Sequence, residues 1–153
     1  MKSRFALLPA VLAVAAVGCG GSSSDDSPPA PAPKSAAPGV ASAKTSLGTV
    51  LVDSQGRTLY LFEKDKGTAS SCYGACASAW PPLTTAGDAG SGVTASKLGE
   101  SSRKDGGAIV TYFGHPLYTY AGDQKPGDVK GQDLDQFGGE WYALSPSGEK
   151  VGD

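Results

Sequence analysis

Val50-Leu51-Val52-Asp53-Ser54-Gln55-Gly56-Arg57-Thr58-Leu59-Tyr60-Leu61-Phe62 returns later as Ala108-Ile109-Val110-Thr111-Tyr112-Phe113-Gly114-His115-Pro116-Leu117-Tyr118-Thr119-Tyr120. At one constant offset Gly56 aligns with Gly114, Leu59 with Leu117, Tyr60 with Tyr118, Phe62 with Tyr120 and Asp65 with Asp123. A self-similar segment of this kind marks a repeated structural unit. Each copy has short β-branched and apolar runs on either side of a glycine-containing turn, the pattern of a β-hairpin. Gly56 and Gly114 are expected to supply the positive φ that such turns require. Side chains alternate along a strand, so Leu59, Leu61, Leu117 and Thr119 face one way and Tyr60, Phe62, Tyr118 and Tyr120 the other. The shared aromatic face is expected to be core; an aromatic ligand surface is the functional alternative.

Between the copies, Ala75-Cys76-Ala77-Ser78-Ala79 suits one short helical turn, and Pro81 pushes Trp80 toward extended geometry and ends it. Residues 84–96 are a polar loop rich in Gly, Thr and Ala, and 97–105 are charged and turn-like. Beyond the second copy, 123–128 form a turn, 136–139 a loop, and Trp141-Tyr142-Ala143-Leu144 a closing strand. No long amphipathic helix is visible. The fold class is mainly β: a small single domain, 46–153, of two pseudo-repeated hairpin units with one helical turn.

The N-terminus says where the domain works. Lys2 and Arg4 precede an apolar run from Phe5 to Val17, and small residues lead to Cys19. That is a secretory signal, too short to span a bilayer comfortably. Residues 1–18 resemble a bacterial lipoprotein signal, although Ala16 stands where Leu is usual. The resemblance implies acylation of Cys19, with two or three acyl chains, enough for stable anchoring. Ordinary signal cleavage nearby is the alternative. Residues 19–45, with Pro28-Pro29-Ala30-Pro31-Ala32-Pro33, are too poor in large apolar side chains to fold and are expected to be a tether.

Composition narrows the function classes. The chain has 13 Lys+Arg against 15 Asp+Glu; loss of Lys2 and Arg4 leaves 11 against 15. No basic cluster exists, so a nucleic-acid partner is not expected. With Cys19 lipidated, Cys72 and Cys76 remain, and in an oxidising compartment they are expected to close a local disulfide. Their spacing is not the Cys-x-x-Cys of thioredoxin-like sites. A redox role for the pair, beside the dense Tyr60, Tyr73, Trp80, Tyr118 and Trp141, is the rival reading. The single histidine, His115, precedes Pro116 in a hairpin turn, and no Gly-x-Ser-x-Gly is present. Asp123, Asp128, Asp133 and Asp135 share one loop region, but not with EF-hand spacing. No cofactor and no metal are expected.

Taken together, these residues resemble the bacterial secreted-repeat lipoproteins marked by Tyr-x-[Phe/Trp/Tyr]-x-x-Asp. The motif occurs as Tyr60-Leu61-Phe62-Glu63-Lys64-Asp65 and as Tyr118-Thr119-Tyr120-Ala121-Gly122-Asp123. Gly56-Arg57-Thr58-Leu59, Cys72, Cys76, Trp80-Pro81-Pro82-Leu83, Gly127-Asp128 and Trp141-Tyr142 fit as well. The resemblance spans about Gly48 to Leu144. Similar proteins often carry Lys where His115 stands, which argues against a family-wide catalytic role for it. The resemblance implies an exported lipoprotein domain on the cell membrane and implies no reaction. The motif residues Tyr60, Phe62, Asp65, Tyr118, Tyr120 and Asp123 are candidates for turn capping or for binding. The expected function is a non-enzymatic envelope module, with a protein or glycan partner.

Overall fold

The computed structural model describes residues 39–152. The signal, Cys19 and the first part of the tether lie outside them. The described domain is mainly β, with one helical turn. Its elements are β1 (Val40–Thr45), β2 (Gly48–Asp53), β3 (Tyr60–Phe62), α1 (Ala75–Ala79), a 3₁₀ turn at Ala95–Lys97, β4 (Leu98–Ser102), β5 (Ala108–Tyr112), β6 (His115–Pro116), β7 (Leu134–Gln136) and β8 (Gly139–Ala143). They make three small antiparallel sheets, ordered β1-β2, β3-β8-β7 and β4-β5-β6.

Three local readings need correction. Residues 40–45 belong to the domain and not to the tether: β1 pairs with β2 from Val40↔Asp53 to Thr45↔Gly48. Its small side chains hid the strand, yet Val40 is fully buried. Residues 98–102 are not a turn but β4, an edge strand paired with β5, and its polar side chains suit the solvent side of an edge. The loop at 136–139 is narrower than expected, because Gln136 and Gly139 are paired across a two-residue turn.

Both hairpins form around the expected glycines, with φ +78° at Gly56 and +85° at Gly114. The turns differ by one residue. Asp53 pairs with Arg57 across three residues, whereas Tyr112 pairs with His115 across two. The incoming strands therefore correspond one position further on than the outgoing ones. Leu59 N donates to Leu51 O and Leu117 N to Val110 O. In the first turn, Asp53 Oδ1 accepts from Gln55 N and Arg57 N, each at 2.9 Å, and Asp53 binds the Arg57 guanidinium. Such side-chain capping suits a turn that the second copy makes instead with two left-handed residues, Phe113 and Gly114.

Alternation along the outgoing strands produces two cores. Leu59, Leu61 and Leu117 join Val40, Leu51, Val110, Tyr112, Tyr142 and Leu144 in an aliphatic cluster. Tyr60, Phe62 and Tyr118 join Val50, Val52, Ile109, Trp80, Trp141 and the cysteines in an aromatic one.

The two units are cross-strung. β3 of the first pairs with β8 of the second, Tyr60↔Ala143 to Phe62↔Trp141. The first unit's 80–83 runs beside the second unit's 117–119: Leu83 N donates to Leu117 O at 2.9 Å and Thr119 N to Pro81 O at 2.9 Å. Pro81 and Pro82 lack N–H groups, so Leu83 supplies the segment's donor to 117–119 and the strand ladder stays incomplete. Tyr60 and Tyr118 bond to each other through both backbone groups, at 2.8 and 3.0 Å. A residue paired antiparallel with its own counterpart lies on a local pseudo-twofold axis.

Candidate functional site

The motif residues converge on that axis. Tyr60 Oη donates to Asp123 Oδ2 at 2.7 Å, and Tyr118 Oη donates to Asp65 Oδ2 at 2.7 Å. Each tyrosine thus engages the aspartate of the other copy. The second oxygen of each carboxylate holds its own turn: Asp65 Oδ1 accepts from Ser71 N and Oγ, both at 2.7 Å. Asp123 Oδ1 accepts from Lys130 N at 2.9 Å. The motif therefore caps two turns and ties the copies together with the same four side chains.

Each phenol also accepts one hydrogen bond. Gly131 N donates to Tyr60 Oη at 3.2 Å. At Tyr118 the nearby group is Ser70 Oγ, at 2.7 Å. A phenol has one proton and a carboxylate only accepts, so Tyr118 gives its proton to Asp65 and takes the Ser70 hydroxyl's. Arg103, buried, donates from Nη1 to Ser70 Oγ at 2.8 Å and from Nη2 to Cys72 O at 3.0 Å. Its guanidinium stacks on Tyr73 and pairs with Asp105. The guanidinium beside it holds the Asp105 carboxyl below the usual range. Burial, reinforced by Asp123, raises the Tyr60 phenol above its ordinary value. Burial and Asp65 raise that of Tyr118, with Ser70 opposing.

Around the axis the rings form one stack. Phe62 lies on Trp141 at 4.0 Å, Trp141 on Trp80 at 3.9 Å and Trp80 against Tyr120 at 4.3 Å between centroids. Tyr60 meets Trp80 edge-on and Tyr118 meets Trp141 edge-on. The pseudo-twofold axis exchanges Phe62 with Tyr120 and Trp141 with Trp80. Gln136 serves both indoles: Trp80 Nε1 donates to its Oε1 and Trp141 Nε1 to its backbone O. Cys72 and Cys76 form a disulfide with Cα atoms 5.2 Å apart, buried at the margin of this cluster.

All six motif residues thus come together, four of them in two reciprocal pairs. Sequence reasoning did not single out Arg103, Ser70 or Gln136. Arg103 lies in a stretch that reads as a charged turn, and no local pattern ties it to Ser70, which lies 33 residues before it. Asp128, one of the four aspartates of its loop region, accepts from Gln124 N and pairs with Lys130, and the Gln124 bond keeps its carboxyl below the usual range.

A cleft of about 800 Å³ is lined by Leu61, Phe62, Glu63, Asp65, His115 and Gly148 to Lys150. Lys150 bridges it, with Nζ 3.0 Å from Glu63 Oε1 and over the Tyr142 ring. His115 sits exposed on its rim. A smaller cleft of about 300 Å³ is bordered by Lys64, Lys66 and Lys104.

The pattern of a family described as a secreted repeat of unknown function matches residues 41–84 and again 100–145. The chain belongs to that family. No curated protein and no solved structure matches it. The two matched secreted repeats are the two cross-strung units: the first ends after Trp80-Pro81-Pro82-Leu83 and the second after Trp141-Tyr142-Ala143-Leu144. Every Tyr–Asp bond of the motif runs between secreted repeats and none within one. Export agrees with the disulfide, since such bonds persist outside the reducing cytoplasm.

Proposed function

We propose that this secreted-repeat protein is a lipid-anchored, extracytoplasmic binding module of the cell envelope that catalyses no reaction. One observation carries the reading: the hydroxyls and carboxylates of the motif are engaged with each other and with turns of the backbone. The motif then builds a rigid scaffold, and binding falls to the surface that the scaffold shapes. The cleft lined by Leu61, Phe62, Glu63, Asp65 and 148–150 is a concave part of that surface, of a size usual for ligand sites. Its Glu63, Glu149, Lys150 and His115 suit polar contacts with a glycan or a peptide. Anchoring would rest on Cys19 and the tether, because among the described residues no helix is long and apolar enough to cross a membrane.

Two measurements test this. In cells fed a tagged fatty acid, the chain is expected to carry label and sediment with membranes, and Cys19→Ala to lose both; label persisting in Cys19→Ala would refute the anchor. In NMR titrations with envelope glycan fragments and wall peptides, shifts are expected to cluster at 61–65, 115 and 148–150 and to vanish in Glu149→Ala. Turnover of any such probe would refute the non-catalytic reading.

Thiol–disulfide exchange at Cys72 and Cys76 is the rival. Cys72 is fully buried, so an attacking thiolate cannot reach it without local opening. The pair is expected to have a reduction potential below roughly −300 mV, as structural disulfides do. Equilibration with glutathione buffers, read by mass spectrometry, checks this; a value near those of exchange proteins would revive the rival.

A further inference from the structure

The aromatic interior has proton acceptors where packing alone needs none. Trp80 and Trp141 stack with planes 6° apart, and the half-buried Tyr120 leads from Trp80 toward the surface. Indole and phenol are the side chains that most readily give up one electron. An indole here has no base for its proton, because Trp80 Nε1 donates to an amide oxygen and Trp141 Nε1 to a backbone carbonyl. A positive charge left on either ring would sit in a low-dielectric interior, where unpaired charge is costly. The phenols differ: each already points its proton at a carboxylate 2.7 Å away. The two are not equivalent. Beside Tyr118 stands the Arg103 cation, linked to it through Ser70, whereas the Tyr60 hydroxyl contacts Asp123 and Gly131 N. Loss of an electron is easier away from the cation, and Tyr60 is also the phenol that touches Trp80.

We propose that Tyr120, Trp80 and Tyr60 form a relay that carries one-electron oxidation from the surface to Tyr60, with Asp123 as the proton acceptor. An outer-sphere one-electron oxidant at the surface takes one electron from Trp80 across the Tyr120 ring, which keeps its proton, and Tyr60 refills Trp80. As the electron leaves, the phenolic O–H bond of Tyr60 breaks and the proton passes to Asp123 Oδ2. The phenol and carboxylate, together carrying one negative charge, become a neutral tyrosyl radical and a neutral carboxylic acid. The carboxylic acid keeps the proton in the same hydrogen bond, so re-reduction restores the starting pair. This activity goes beyond binding and does not depend on it.

The probe is photogenerated ruthenium(III) tris-bipyridine, flashed onto the full chain in detergent and followed by transient absorption and electron paramagnetic resonance. An indole radical is expected first, then a long-lived neutral tyrosyl radical that forms more slowly in D₂O. Tyr60→Phe, which keeps the ring, is expected to lose most of that signal while Tyr118→Phe keeps it. Tyr120→Phe is expected to slow its appearance and leave its final site unchanged. Near-ultraviolet circular dichroism verifies that each variant keeps the stack. An undiminished signal in Tyr60→Phe, or radicals confined to Tyr73 and Tyr120 that end in dityrosine cross-links, would overturn the relay.

Discussion

Trp141→Ala is expected to remove most of the domain's stability. The side chain is fully buried and packed on both faces, by Phe62 at 4.0 Å and Trp80 at 3.9 Å, with Tyr118 against it edge-on. Truncating a buried tryptophan costs about 3–5 kcal/mol through lost transfer energy and the cavity left behind. Each aromatic pair adds about 0.5–1.5 kcal/mol beyond area, and Gln136 O loses its indole donor. Small domains are stable by roughly 5–15 kcal/mol in total. Trp141 sits on β8 of the second repeat and packs on β3 of the first, so the loss falls on the seam between repeats. Urea titration followed by circular dichroism is the measurement. A midpoint close to that of the parent chain would mean that the stack does not hold the repeats together; Trp141→Phe is expected to lie between.

The second large effect is alkaline. In the folded chain the phenols of Tyr60 and Tyr118 are raised above their ordinary value, first by burial and then by the facing aspartates. In the unfolded chain they ionise near pH 10. Below that pH both states keep the protons, and the two tyrosines impose no pH dependence. Above it the unfolded chain releases two protons that the folded chain retains. Stability therefore falls as pH rises, by about 1.4 kcal/mol per pH unit for each tyrosine and about 2.7 kcal/mol for both. Tyr142, pushed up to about 12 chiefly by its bond to Glu140, ionises in the folded state and serves as an internal contrast. Tyrosinate absorbance and circular dichroism recorded together are expected to show Tyr60 and Tyr118 ionising only as the fold is lost. Ionisation of all the tyrosines well before unfolding would contradict the buried pairs, and Tyr60→Phe is expected to lessen the slope by about 1.4 kcal/mol per pH unit.

Much of this arrangement is written locally. The leucine and tyrosine faces of the outgoing strands, the helical turn at Ala75–Ala79 and the turn glycines follow from alternation and turn chemistry. What is not local could not be read. Nothing in Tyr60-Leu61-Phe62-Glu63-Lys64-Asp65 says that Tyr60 bonds to Asp123 rather than staying within its own copy. Pro81 and Pro82 mask the counterpart of β8, because a segment without N–H groups does not look like a strand. Val40-Ala41-Ser42-Ala43-Lys44-Thr45 alternates too weakly, in side chains too small, to stand out from the tether. Arg103 carries no sign of burial, since its neighbour Asp105 reads as an ordinary surface partner and the buried groups that it binds, Ser70 and Cys72 O, lie about thirty residues earlier.

The exchange of tyrosines and strands across the pseudo-twofold axis has an ancestral reading. Two halves that meet through the same patch, each completing the other, are related as the subunits of an isologous homodimer. Joined by residues 85–99, the two halves of this domain meet as the subunits of such a homodimer do. A chain with one such repeat would have no aspartate for its own tyrosine and would have to borrow one from a twin.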